Sequence, residues 1–393
     1  MSQKPTHQYF APCPRGLEPA LAEELSSLGA GGIKAVDGGV HFNGDWLMGA
    51  KANLWSRTAS RVLWRVGDGQ YRTDQDIYAL ARNTEWDWLF DVKRTIRVQM
   101  TANKKAPIQS VEFVTLRVKD AVCDRFRDTC GERPSVDRAN PDVRIHGFLD
   151  GTRCTLYVDF SGEPLFKRGW RVATNEAPIR ENLAAGILML AGWTPEQTLL
   201  DPMCGSGTFL LEAAMMALNI APGLKRSFGF EKLKTFHRIK WQALLDEART
   251  AAQPPHPLAI YGSDKYGDAL KAARANLEHA GLADCVQLKQ VDLMEVSAPT
   301  ETGVLVANPP YGVRLDELDK LAEMYPQIGA VLKKKFSGWR AYFFTADPAL
   351  AKLIRLSASK RTVLFNGALE CRLFEYKMVA GSNRKDSAQA DQP

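Results

Sequence analysis

From residue 178 onward the chain alternates helices with short, almost wholly apolar strands, and few folds accommodate that alternation. The strand pieces are "TLLD", "AIYGSD", "VQLKQVD" and "GVLVAN". Apolar side chains at successive positions must be covered on both faces of the sheet, a demand made by parallel sheets and not by antiparallel ones with a wet face. Helices between such strands supply the two covering layers. The sequence therefore predicts an α/β fold built on a mostly parallel, doubly wound sheet. "AAQPPHPLA" reads as a loop inside it, because strand signals continue on both sides.

The earlier part reads differently. "LEPALAEELSSLG" has Leu17, Leu21 and Leu25 at helical spacing before a glycine stop, "GGVHFNG" is a short strand between glycines, and "DWLMGAKANLWSRTASRVLWRV" is a helix running into a strand. From about 72 to 160 the order is helix, strand, helix, strand, strand, a small α+β module. At 393 residues the chain is too long for one ordinary core. The polar stretch from Gly381 lacks apolar periodicity and is expected to be disordered.

Charge and cysteine usage narrow the function classes. A formal charge of +6, spread evenly along the chain without a basic tail, permits a polyanionic partner. The seven cysteines contain no C-x-x-C, which argues against a disulfide framework and a zinc site, and the histidines show no close ligand pairing. No metal is expected. The start has no apolar leader, and "LAAGILMLAGW" is too short to span a bilayer, so no membrane association is expected and the cytoplasm is the expected location.

Four strand ends carry the chemistry. "TLLDPMCGSGTFLLEAAMMAL" is a strand, an acid, a glycine turn and a helix, the arrangement in which open parallel sheets bind ligands. Gly205 and Gly207 let the backbone approach a ligand, and the helix starting near Thr208 points its N–H groups at a negative charge. Leu210 stands where a dinucleotide fingerprint requires glycine. Asp264 and Asp292 end the next two strands, where one carboxylate can accept ribose hydroxyls and the other an adenine amino hydrogen. Any single Asp there is commonly a helix N-cap. Asp201, Asp264, Asp292 and Asn308 on four successive strands are not dismissed so easily.

After the last of these strands, Val304 to Ala307, come Asn308, Pro309, Pro310 and Tyr311. Pro309 and Pro310 have no N–H to donate, so the strand ladder stops. A rigid loop would account for the prolines but not for both Asn308 and Tyr311. The series Asp201-Pro202-Met203-Cys204-Gly205-Ser206-Gly207-Thr208, Asp264, Asp292 and Asn308-Pro309-Pro310-Tyr311 resembles the class I S-adenosyl-L-methionine-dependent amino-methyltransferases over about 178 to 380. The resemblance implies that Gly205 and Gly207 hold the methionine end of the cofactor, Asp264 the ribose and Asp292 the adenine. It also counts Asp201, Pro202, Cys204, Thr208 and Asn308 among the cofactor-binding residues. "APIRENLAAGIL" is similar to the cofactor helix that precedes the first strand in that family.

The catalytic residues implied are Asn308, Pro309, Pro310 and Tyr311. An exocyclic base amine is a poor nucleophile because its lone pair is delocalised. Acceptors on both of its hydrogens, the Asn308 side-chain oxygen and the Pro309 carbonyl, favour the pyramidal nitrogen of the transition state. Tyr311 would stack on the extruded base. The same four residues serve adenine N6, guanine N2 and glutamine amides, so they name the reaction and leave the substrate open.

"YFAPCPRGLEPALAEELSSLG", "WSRTASRVLWRV", "RPSVDRANPDVRIHGFLDG" and "LYVDFSGEPLFKRGWR" decide between these substrates. With the downstream "EAPIRENLAA" they resemble the THUMP-containing RNA methyltransferases, in particular the bacterial RlmL-type 23S ribosomal RNA guanine-N2 methyltransferases, over roughly 8 to 380. The implied organisation is a ferredoxin-like region at 1–60, a THUMP RNA-binding module at 61–165, a Rossmann-like class I methyltransferase domain at 166–381, and a disordered tail at 382–393. The implied partner is 23S ribosomal RNA or a large-subunit assembly intermediate. Some relatives carry a second methyltransferase domain, which is not expected in a chain of this length. Methylation of another RNA guanine, as in tRNA, or of adenine N6 in RNA or DNA, and a noncatalytic RNA-binding scaffold with a degenerate methyltransferase domain are the competing readings. Arg117, Lys119, Arg125 and Arg127 recur at helical spacing and fit either an RNA-facing or a merely solvated helix face.

Overall fold

The computed structural model describes residues 6–173, 179–310, 315–347 and 352–379. Tyr311 and the tail expected from 382 lie outside the described residues. The chain forms two compact units. The first gathers residues up to Arg171 with Arg180–Gly186 and Leu218–Pro254; the second gathers Val172–Ile179, Ile187–Ala217 and residues from Pro255 onward. The "AAQPPHPLA" loop is thus where the chain returns from the first unit to the second.

In the first unit seven strands make one sheet: β1 (His7–Pro12), β2 (Gly31–Val36), β3 (Gly39–Gly44), β4 (Leu63–Gln70), β5 (Ile96–Ala102), β6 (Val143–Asp150) and β7 (Arg153–Asp159). The order is β2-β3-β1-β4-β7-β6-β5, antiparallel except for β5 beside β6. Because Tyr9 pairs with Trp64 and Phe10 with Leu63, the sheet runs unbroken from the ferredoxin-like into the THUMP-like part. β2 has no counterpart in the sequence reading: two glycines open it and most of it is exposed, so it shows no apolar alternation.

The helices of this unit are α1 (Glu18–Ser27), α2 (Trp46–Trp55), α3 (Asp74–Asn83), α4 (Trp86–Leu89) and α5 (Val111–Cys130). Asp45, Thr73 and Ser110 start three of them by accepting hydrogen bonds from the N–H groups of Met48, Asp76 and Phe113. The inward sheet residues Tyr9, Val40, Phe42, Ile145, Leu156 and Val158 are buried.

Residues 218–254 complete this core. Phe228, Phe230 and Trp241 join Trp46 and Phe160 in a run of edge-to-face, tilted and stacked rings with centroids 5.0 to 6.5 Å apart. Arg226 donates to the carbonyls of Ser161, Glu163, Pro164 and Lys167. Gly229 is required where this segment crosses β7, since a Cβ there would lie 2.7 Å from the Asp159 carbonyl oxygen.

The second unit holds α6 from Ile187 onward (Glu181–Leu190 overall), β8 (Leu199–Asp201), α7 (Thr208–Ala217), β9 (Ile260–Asp264), α9 (Gly267–Ala280), β10 (Gln287–Gln290), β11 (Val304–Ala307), α10 (Leu315–Lys335), β12 (Arg340–Thr345), β13 (Lys360–Asn366) and β14 (Leu369–Lys377); α8 (Arg238–Ala251) belongs to the first. The sheet order is β10-β9-β8-β11-β12-β14-β13, parallel through β12 and antiparallel beyond it. This is the doubly wound class I methyltransferase arrangement. β8, β9, β11 and β12 are buried almost throughout, as their composition demands, whereas β10 is an edge strand and mostly exposed. Tyr325, Ile328, Leu332, Phe336 and Trp339 cover the β11–β12 side.

Candidate active site

β8 lies where the strand order reverses: β9 and β10 follow on one side, β11 and β12 on the other. Open α/β sheets bind ligands at the carboxyl end of such a switch point. The register brings the predicted residues there together. Asp201 pairs with Gly262, two residues before Asp264; Gln290 pairs with Asp264; Leu200 pairs with Leu305, three residues before Asn308. Asp201 and Asp264 are the last residues of β8 and β9, Asn308 follows β11, and Asp292 stands two residues beyond β10. The four strands are neighbours, so the four polar side chains share one sheet edge.

The glycine loop is fastened to that edge. Gly205 and Gly207 have φ of 53° and 81°, left-handed conformations that favour glycine. Gly207 N–H donates to the Cys204 carbonyl at 2.8 Å, closing the turn ahead of α7, which begins at Thr208. Gly205 N–H donates to Asp264 Oδ2 at 3.0 Å, and Tyr266 N–H donates to Oδ1 at 3.0 Å. Asp264 therefore ties the loop to β9, and each of its oxygens keeps lone-pair capacity for a further donor. A Cβ on Gly207 would also meet the Ala273 Cβ of α9 at 3.2 Å.

Asp201 is buried, and its Oδ1 accepts from Met203 N–H at 3.1 Å. Burial, with the nearby Asp264 carboxylate, pushes the Asp201 carboxyl well above the usual carboxylate range, against the pull of the Met203 N–H. Burial and the same two acids push the Cys204 thiol well up, so this cysteine sits in the loop as a small apolar side chain and not as a thiolate. Pro202 and Thr208 are buried, while Gly205, Asp292 and Asn308 are half-buried. Asp292 Oδ1 accepts from Met294 N–H at 2.9 Å. Pro309 is buried and Pro310 exposed directly after β11.

Asn276 on α9 is a site residue that no motif announced. Its amide is completely buried and makes four bonds: it donates to the Ser206 carbonyl at 3.0 Å and the Ala173 carbonyl at 2.9 Å, and accepts from Val172 N–H at 2.8 Å and Ala173 N–H at 3.0 Å. It clamps the glycine loop to the strand of chain leading toward α6. The available signal was an amide on the buried stripe of an otherwise amphipathic helix.

The basic residues of α5 are resolved as well. Arg117 pairs with Asp74 at 3.1 Å and covers the Tyr78 ring, Lys119 pairs with Asp120, Arg125 with Asp87 at 2.9 Å, and Arg127 with Asp124 at 2.8 Å. Their charges are answered within the unit, which favours the solvated helix face of the two readings. Among the described residues, no group of three or more His, Cys, Asp or Glu is placed to hold a metal, and no helix is long and apolar enough to cross a membrane.

Comparison with known proteins places the chain by family and fold. Residues 168–375 match the RMKL-like methyltransferase domain, 8–63 the RlmL ferredoxin-like domain and 71–159 the THUMP domain. The chain is 39% identical over 383 residues to the ribosomal RNA large subunit methyltransferase K/L of Shewanella frigidimarina, covering 96% of this chain and 54% of that protein. It spans about half the length of the curated relatives it matches. Among solved structures, a putative methyltransferase, SMU.472, complexed with SAH superposes with a TM-score of 0.86 at 31% identity, over 97% of this chain and 100% of that one. A predicted N6-adenine-specific DNA methylase from Listeria monocytogenes gives a TM-score of 0.85 at 31% identity, over 95% and 96%.

Proposed function

The chain belongs to the RMKL-like methyltransferase family, and on that premise we propose that it transfers a methyl group from S-adenosyl-L-methionine to the exocyclic N2 amine of a guanine in 23S ribosomal RNA. The observation that carries this reading is the convergence of Asp201, Asp264, Asp292 and Asn308 on one sheet edge beside the Gly205–Gly207 turn. The residues fit the cofactor. The left-handed glycines leave the backbone bare for its methionine end, Asp264 retains acceptor capacity for ribose hydroxyls, and half-buried Asp292 can accept from the adenine amine.

When bound, the cofactor supplies a sulfonium-activated methyl group. The chain's own task is to present the amine. Asn308, at the end of a fully buried strand, accepts one amine hydrogen through its side-chain oxygen, and the Pro309 carbonyl accepts the other. Together they favour the pyramidal nitrogen without removing a proton beforehand. Pro310 stiffens the turn and Tyr311 stacks on the base. Fixing the amine in line provides much of the acceleration, about 7 to 11 kcal/mol in favourable systems. The THUMP match and the names of the curated relatives support RNA as the acceptor.

The test offers 23S rRNA lacking its methylations, labelled cofactor and, in parallel, duplex DNA, and then identifies the methylated nucleoside by mass spectrometry. N2-methylguanosine from RNA alone is expected. N6-methyladenosine would overturn the base assignment, and absence of cofactor binding would favour the scaffold reading.

A further inference from the structure

The helices of the first unit pack on one face of its sheet: Gly49 of α2 lies against the Tyr9 ring, and Leu80 of α3 lies against Gly69. On the opposite face Gln8, His41, Gln99, Thr101 and Phe148 are exposed on four of its strands, while Leu63 and Tyr157 on the central strands are buried. The exposed side chains are neither uniformly apolar nor uniformly charged. Phe10 pairs in register with His41, their rings 4.8 Å apart, and the Phe10 ring lies 6.3 Å from Tyr157. Gly39 makes room for this lane, since a Cβ there would come within 2.5 Å of the Phe10 ring. Lys34 pairs with His41 at one end, and Arg65 pairs with Tyr157 at the other.

We propose that this face docks single-stranded RNA, bases stacking on the exposed His41 ring and the half-buried Phe10 ring beside it and phosphates meeting Lys34 and Arg65. Charge complementarity selects the occupant. The cations of α5 are held in ion pairs, whereas Lys34 has no ion-pair partner among the described residues and the Arg65 side chain, bonded to Asp68 at 3.3 Å, stays 36% exposed. Cations interleaved with aromatic rings on a flat sheet suit a strand whose bases are unstacked; in a duplex the base faces are hidden and only backbone is offered. Partial burial and the charges of Lys34 and Arg65 hold the His41 pKa below its ordinary value, so this ring is kept as a neutral stacking surface. The choice of RNA as ligand rests on the methyltransferase reading above; the location of the face does not.

The experiment uses the full chain without cofactor and measures fluorescence anisotropy of a labelled single-stranded oligoribonucleotide and of the same strand annealed to its complement. Wild type should prefer the single strand. Phe10→Leu keeps apolar volume but removes the ring, and His41→Ala removes an exposed one; each should weaken single-strand binding about ten-fold. Phe10→Tyr should retain it. Lys34→Ala should flatten the salt dependence by about 0.7 in log–log slope, one phosphate contact, while Lys119→Ala on α5 leaves binding unchanged. Should circular dichroism show Phe10→Leu misfolded, His41→Ala decides. Wild-type affinity in folded Phe10→Leu and His41→Ala, or equal affinity for duplex, overturns the proposal. A chain that binds strand through this face yet methylates no RNA would confirm the face and overturn the methyl-transfer reading instead.

Discussion

Replacing Asn276 by Leu preserves the branching and approximate volume of the side chain while deleting all four of its hydrogen bonds. The Ser206 carbonyl sits in the buried glycine loop and would lose its amide donor where water does not easily reach. The other three bonds go to residues 172 and 173, which are exposed or half-buried, so water can replace much of what is lost there. A bare buried carbonyl costs ~1 to 3 kcal/mol and each water-replaceable bond near the low end of its net range, giving about 3 kcal/mol in all. For a unit of this size that lowers the midpoint of thermal unfolding by about 6 to 12 °C. Differential scanning calorimetry reads the shift, and titration calorimetry with S-adenosylmethionine should show weaker binding because the loop is no longer held. An unchanged unfolding profile with unchanged cofactor affinity would refute the clamp.

Asp264→Ala removes the acceptor of the Gly205 and Tyr266 N–H groups together with the proposed ribose ligand, and should weaken cofactor binding by about 3 kcal/mol or more in calorimetry. Asn308→Ala should change cofactor affinity little beside its effect on rate, lowering single-turnover methyl transfer by about a hundred- to a thousand-fold, as expected for one lost preorganised acceptor. Asp201 has a raised folded pKa, so wild-type stability falls as pH rises from the unfolded carboxylate value through the folded one. Asp201→Asn removes that dependence while its amide oxygen still accepts from Met203 N–H, and urea midpoints measured from pH 4 upward should favour the variant increasingly.

The second unit was legible because its signals are local. A strand buried on both faces must be apolar at every position, a polar residue at its carboxyl end breaks that run visibly, and two prolines end a ladder wherever they occur. Composition and order alone therefore located β8, β9 and β11, the three acids, Asn308 and the glycine turn. Asn276 was invisible for the opposite reason: its partners at 172–173 and 206 are some 70 to 104 residues away in sequence, and a lone buried amide looks like any polar residue until the chain is folded. Long-range pairing also decided the basic helix, where Arg117 and Arg125 find Asp74 and Asp87 some 40 residues earlier. Helical spacing shows that such charges share a face but not which acids meet them. The unbroken sheet from β2 to β5 and the packing of 218–254 into the first unit depend on the same thing. Local pattern determines which elements form and where they end; only the tertiary structure brings distant segments together, and with them the neutralised helix face and the pairing of His41 with Phe10 on the sheet face opposite the helices.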